Sequence, residues 1–235
     1  MADDDKEIAF SEALEALLSE EQVPIHLLFR LSDMTKDEMQ EFERVWPACN
    51  EERRRAIMRH LVDLSEEDFV VNFQPLFAYC MNDPHPEVRI ASLDGLWDTT
   101  DLNLIEPIIN RLESDSVAEV QAAAAGALAH YLLMSSWGEL RGVPTGLIIN
   151  ALMAAFNNPD SPLVLRRVAL EALGSVNLPD VYKAIEESDE SPQRGLQFSA
   201  LYAMGNSADP RWMPIILDEM ENQYEEMRQE AVRAA

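Results

Sequence analysis

Apolar and small residues recur along this chain at helical spacing, and one such pattern repeats. Val88, Ala91, Ser92 and Leu96 fall on one side of a helix within Val88-Arg89-Ile90-Ala91-Ser92-Leu93-Asp94-Gly95-Leu96. The pattern returns from Val120, Leu165, Leu196 and Met227, and a weaker copy begins at Arg53. The starts at 53, 88, 120, 165, 196 and 227 are separated by 35, 32, 45, 31 and 31 residues. Four of the five steps share a narrow band, which favours a structural repeat over a set of unrelated amphipathic helices. The long step predicts an excursion from Tyr131 to Pro144, where Ser135-Ser136-Trp137-Gly138 and Arg141-Gly142-Val143-Pro144 read as loop chemistry.

A second apolar run precedes most copies: Phe69 to Cys80, Leu104 to Leu112, Leu147 to Phe156, Val181 to Ile185 and Trp212 to Met220. Turn formers separate the members of each pair, as in Asn82-Asp83-Pro84-His85-Pro86 and Ser188-Asp189-Glu190-Ser191-Pro192. Each unit therefore reads as helix A, short turn, helix B. Gly174 and Gly205 are expected to end their helices in a left-handed cap. Leu128 is an expected core position, and Ala91, Ala124, Ala169 and Ala200 are small enough to let helices approach closely. One helical hairpin cannot bury its apolar stripe alone, whereas stacked hairpins share a continuous core. No strand pattern competes, so the predicted class is all-α, with stacked antiparallel helix pairs over residues 69–235.

Residues 1–68 lack a clear copy of the repeat and read as an atypical helical cap region. Ile8, Phe10, Leu14, Leu17 and Leu18 predict one helix, and Val23 to Leu31 a second. Thr35 and Glu38 form a capping-box signature for a third, with Met39, Phe42, Val45 and Trp46 on one face and Pro47 ending it. Glu51 to Leu64 is a fourth, and Ser65 with Asp68 reads as another cap. An alternative makes this region a docking module that exposes Phe42 and Trp46.

The run Asp83-Pro84, then Val88-Arg89, then a small residue, then Leu96 resembles the HEAT-repeat signature, in particular the short bacterial PBS-lyase type. The resemblance covers residues 69–235, and 23–68 more weakly. It implies a right-handed alpha-alpha superhelix, a HEAT-like and armadillo-like solenoid. It also implies structural roles: Asp83 braces the interhelical turn, and Arg89, Arg166 and Arg228 brace neighbouring units. Gln121 and Gln197 depart from the arginine and imply a looser brace.

The chain carries 43 acidic and 18 basic residues in 235, a formal net charge of −25. Nucleic-acid and anionic-membrane partners are disfavoured, because both are bound through Lys and Arg. Arg53-Arg54-Arg55 with Arg59 is the single concentrated basic run. It reads as a solvated face neutralised by Glu51 and Glu52, or else as an anchor for an acidic segment. Two cysteines, no secretory signal and no long apolar run point to a cytoplasmic protein. His26, His60, His85 and His130 have no metal-ligand spacing, and no phosphate loop or nucleophile elbow is present. No catalytic, cofactor or metal residue is nominated, and no cofactor is expected.

The expected function is that of a scaffold or adaptor binding a protein or peptide, with Phe42, Trp46, Arg53, Arg54, Arg55 and Trp137 as candidate contacts. One alternative is a lyase-like enzyme or binder that holds a tetrapyrrole-type molecule in a groove lined by Trp97, Tyr131, Trp137 or Tyr202. Another is a structural or regulatory arm of a longer protein. The run from Met227 to Ala235 opens like a helix B without its Leu-Gly ending. It predicts a chain that continues beyond Ala235, and self-association through the open end of the fragment.

Overall fold

The computed structural model describes residues 8–19, 23–67 and 70–235, and among them the fold is all-helical without a strand. Two compact units are present, Met1–Trp97 and Asp98–Ala235. The first contains α1 (Phe10–Ser19), α2 (Ile25–Leu28), α3 (Lys36–Val45), α4 (Glu51–Glu67), α5 (Gln74–Cys80) and α6 (Pro86–Asp94). The second contains α7 (Ile105–Ser114), α8 (Ala118–Ser136), α9 (Thr145–Asn157), α10 (Leu163–Ala172), α11 (Pro179–Asp189), α12 (Arg194–Ser207), α13 (Met213–Glu219) and α14 (Glu225–Ala234). The change of pattern at residue 68 had suggested a cut there. The contacts instead place α5 on α3 and α6 on α4, so the first hairpin of the repeat belongs with the N-terminal helices.

In the second unit the pairing follows the sequence pattern. Helix α7 packs on α8, α9 on α10, α11 on α12 and α13 on α14, while α8, α10, α12 and α14 pack in succession. The repeat register explains why. Val88, Val120, Leu165, Leu196 and Met227 are all buried, and eight residues on so are Leu96, Leu128, Leu173 and Met204. Four residues after each start comes a small residue with no exposed surface or almost none: Ser92, Ala124, Ala169, Ala200 and Ala231. In the first copy that residue is Ser92, not Ala91; its hydroxyl donates back to Val88 O at 2.7 Å, so it packs as a small group. Five residues after each start, Leu93, Ala125, Leu170 and Leu201 are fully buried, whereas Val232 is 67 % exposed.

The turns between helices A and B share one device. Asp83 Oδ1 accepts from His85 N at 2.9 Å and Asp115 Oδ1 from Val117 N at 3.0 Å. Ser191 Oγ accepts from Gln193 N at 3.2 Å and Asn222 Oδ1 from Tyr224 N at 2.9 Å. Each of these residues lies five positions before its helix-B start. In the α9–α10 turn Asn158 does the same for Asp160 N at 3.0 Å, two positions early. Short polar side chains thus satisfy amide donors that the turn leaves outside the helices.

Four sequence expectations are corrected. Tyr131 to Pro144 is not all excursion: α8 continues through Ser136, and Tyr131 is fully buried. An alanine-rich sequence with high helix propensity simply carries the helix further. Gly174 and Gly205 are not left-handed caps, since positive φ among glycines occurs at Gly138 and Gly142. They are close-approach positions instead. A Cβ on Gly174 would stand 3.0 Å from Ala203 Cα, and one on Gly205 would stand 2.7 Å from Ala234 Cβ. The left-handed cap that the pattern sought is Gly138, where Glu139 N reaches Met134 O at 3.0 Å and Gly138 N reaches Ser135 O at 3.0 Å. Ser65 is not a cap, because α4 runs through it and its hydroxyl donates to Val62 O; Asp68 lies outside the described residues. By contrast, the capping box of Thr35 and Glu38 is complete.

Helix α12 ends on Ala208, whose φ of 50° and ψ of 25° are left-handed. A Cβ costs energy there that glycine avoids. Ala208→Gly is expected to stabilise the second unit by about 1 kcal/mol. A chemical-denaturation midpoint that is unchanged or lower would count against this.

Candidate functional site

The nominated contacts separate sharply by burial. Phe42 and Trp46 have 0 % and 2 % of their surface exposed, and their rings lie 4.8 Å apart in the core of the first unit. They are therefore not contacts for a partner. The cause lies thirty-seven residues along the chain, where the turn carboxylate of Asp83 takes the Trp46 indole N–H at 2.9 Å.

Arg53 and Arg54 are also buried, which removes them from the candidate patch. Arg54 donates to Cys49 O at 2.6 Å and to Asp83 Oδ1 at 3.2 Å. Its Nε lies 3.0 Å from Asp83 Oδ2 as an ion pair without an aligned hydrogen bond. Arg55 is held by both carboxylate oxygens of Glu87 at 2.8 Å, and Arg59 approaches the same carboxylate at 3.6 Å. Arg54, Arg55 and Arg59 are thus paired with Asp83 and Glu87 of the α5–α6 hairpin, and not with the adjacent acids. No local pattern could announce those partners. Both cysteines of this unit are buried thiols, and burial pushes each up from the usual thiol range.

The repeat arginines reach back along their own hairpins. Arg89 donates to Asp83 O at 2.9 Å and Pro84 O at 3.1 Å, Arg166 to Phe156 O at 3.0 Å, and Arg228 to Asn222 O at 2.8 Å. Arg89 and Arg228 tie helix B to the turn that leads into it, and Arg166 ties α10 to the last turn of α9. Other residues link neighbouring B helices in the second unit. Arg167 on α10 donates to Ser199 Oγ on α12 at 3.1 Å, and Ser199 donates to Glu171 Oε1. Arg233 on α14 binds Glu230, reaches Tyr202 O at 3.5 Å, and lies 4.3 Å over the Tyr202 ring. Burial pushes the Glu171 carboxyl up, while Ser199 and Arg167 pull it down. This polar seam was not nominated from the sequence, because Arg167 and Arg233 are not signature positions.

Asp94, at the C-terminal end of α6, is pushed up to about 6 by desolvation and by the neighbouring charge of Glu66. Its environment is a like-charge pair at a helix end. Of the aromatic residues considered for a pigment groove, Tyr131 is buried and donates to Asp101 O at 2.8 Å, and Tyr202 lies under Arg233. Among the described residues no group of three or more His, Cys, Asp or Glu could hold a metal ion, and no helix is long and apolar enough to cross a membrane.

Trp137 is different. It is 64 % exposed, at the end of α8, on a turn whose path is set by Gly138 at φ 75° and Gly142 at φ 80°. Gly142 lies against Leu102, and Leu102 and Leu147 are 37 % and 45 % exposed. The surface here therefore combines a helix end, a glycine-defined loop and an indole in solvent. Clefts occur elsewhere: one of about 290 Å³ beside Trp46, Tyr79 and Asp83, and one of about 330 Å³ between the α7–α8 and α9–α10 turns. The chain matches no known protein-family model and no curated protein sequence.

Proposed function

We propose that this protein is a cytoplasmic, non-enzymatic scaffold whose second unit binds a protein partner. In this reading residues 98–235 form a right-handed HEAT-like superhelix of antiparallel pairs, and α5–α6 carries the same register within the first unit. The helix-B succession and the shared turn device support that arrangement. One observation carries the binding assignment, the 64 % exposure of Trp137 on a turn fixed by two left-handed glycines. A large apolar ring presented in that way is a typical interface anchor. The net charge of −25 favours a basic partner surface.

The test is a photo-crosslinking residue at position 137 of the full chain, combined with affinity capture by the natural chain and by Trp137→Ala. Discrete proteins crosslinked at 137 and a loss of about tenfold in capture are expected, the size of a modest hot spot. Equal recovery of the same proteins by both chains would remove Trp137 as the anchor. Because the ring is mostly in solvent, Trp137→Ala is expected to leave thermal stability unchanged within about 0.5 kcal/mol.

A further inference from the structure

Two B helices lack the arginine of this position, α8 with Gln121 and α12 with Gln197, and a cleft lies beside the first. Position for position, α8 carries Gln121 where Arg89, Arg166 and Arg228 reach back along their hairpins. Beside Gln121 lies the cleft of about 330 Å³. Its floor is apolar, with Leu112, Ala151 and Leu165 buried, and Glu113 and Asp160 stand exposed at its rim. Neither carboxylate has an ion-pair partner among the described residues, and no Lys or Arg lines the cleft. The nearby Arg111 is committed to Asp115 at 3.6 Å.

We propose that this cleft receives an arginine side chain from a basic segment of a protein partner. The methylene stem lies on the leucine and alanine floor, and the guanidinium lies between Glu113 and Asp160. Arginine fits better than lysine because its planar fork can serve two carboxylates at once, whereas an ammonium is a point charge. The partner thereby brings a guanidinium to a unit that has none at this register position, whereas α6, α10 and α14 carry their own. The assignment rests on the protein-binding reading above and names the chemistry of the partner.

Fluorescence anisotropy on the full chain tests it, with labelled peptides of alternating glycine and arginine, glycine and lysine, or glycine and citrulline. Citrulline keeps the shape of arginine without its charge. The arginine peptide is expected to bind at least about tenfold more tightly than the citrulline peptide, and more tightly than the lysine peptide. Glu113→Gln with Asp160→Asn is expected to weaken the arginine peptide by about tenfold or more. Asp180→Asn with Glu186→Gln makes the same charge change on α11 and is expected to weaken it less than about twofold. Gln121→Arg should close the cleft with the chain's own guanidinium and abolish binding, with helical content and thermal midpoint retained. Equal losses in both acidic double variants would reduce the effect to general charge attraction and overturn the assignment. Undiminished binding by folded Gln121→Arg, or no preference for arginine over citrulline, would also overturn it. If these peptide results fail while capture still depends on Trp137, the cleft assignment falls and the protein-binding reading stands. If capture does not depend on Trp137, the anchor falls, whatever the peptides show.

Discussion

Asp83→Ala is expected to destabilise the first unit by about 3–5 kcal/mol, the scale for breaking a buried ion pair from one side. Asp83 is 6 % exposed and is shared by the Trp46 indole, the Arg54 guanidinium and the amide of His85. Removing the carboxylate leaves Arg54 buried without its counter-charge and the Trp46 N–H without its acceptor. Both losses fall on one site, and a domain of this size has only about 5–15 kcal/mol in total. Replacing both charges, with Asp83→Leu and Arg54→Met, should cost less than Asp83→Ala alone, since no isolated charge then remains. Denaturant unfolding followed by tryptophan fluorescence measures each. A loss below about 1 kcal/mol for Asp83→Ala would mean that water reaches the pair.

The second large effect lies in the other unit. Tyr131→Ala is expected to cost about 3–5 kcal/mol, as for other large aromatic truncations in cores. The ring has no exposed surface, and the hydroxyl closes onto Asp101 O at 2.8 Å. Tyr131→Phe isolates the hydroxyl and should cost about 1 kcal/mol. Circular-dichroism melts of the two variants separate these contributions. A neutral Tyr131→Ala would restore the reading of residues 131–144 as a surface excursion.

The helix-B register could be read directly because its cause is local. Val120, Ala124 and Leu128 face one side of a helix whatever packs against them, and all three are fully buried. The Thr35–Glu38 box could be read for the same reason, as both partners lie within one turn. The burial of Arg54 and Trp46 could not be read in this way. It is decided by Asp83, twenty-nine and thirty-seven residues away, and composition alone makes an arginine run look like a solvated face. The end of α8 was misjudged because Ser135 and Trp137-Gly138 are loop formers by type, yet here they compose the last helical turn and its left-handed cap. Of the nominated aromatic contacts Phe42, Trp46 and Trp137, only Trp137 is exposed, and its setting on a glycine-defined turn was not legible in the sequence. Gln121 was noted as a departure from a signature, and the cleft beside it needed coordinates to be seen.

Gly205 and Ala208 lie three residues apart, and the fold gives them opposite responses to the same chemical change. A methyl group added at 205 would collide with Ala234, whereas a methyl group removed at 208 would relax a left-handed backbone. Exchanging the two residues would leave the amino-acid composition unaltered and would still not be neutral. The helix end would gain about 1 kcal/mol, but α14 would be pushed off α12, a kind of overpacking that costs about 1–3 kcal/mol. Where one glycine must serve either a helix crossing or a helix ending, this chain keeps it at the crossing. Glycines at such positions should therefore tolerate substitution less well than the strained alanine nearby, although backbone dihedral angles alone would rank the two the other way.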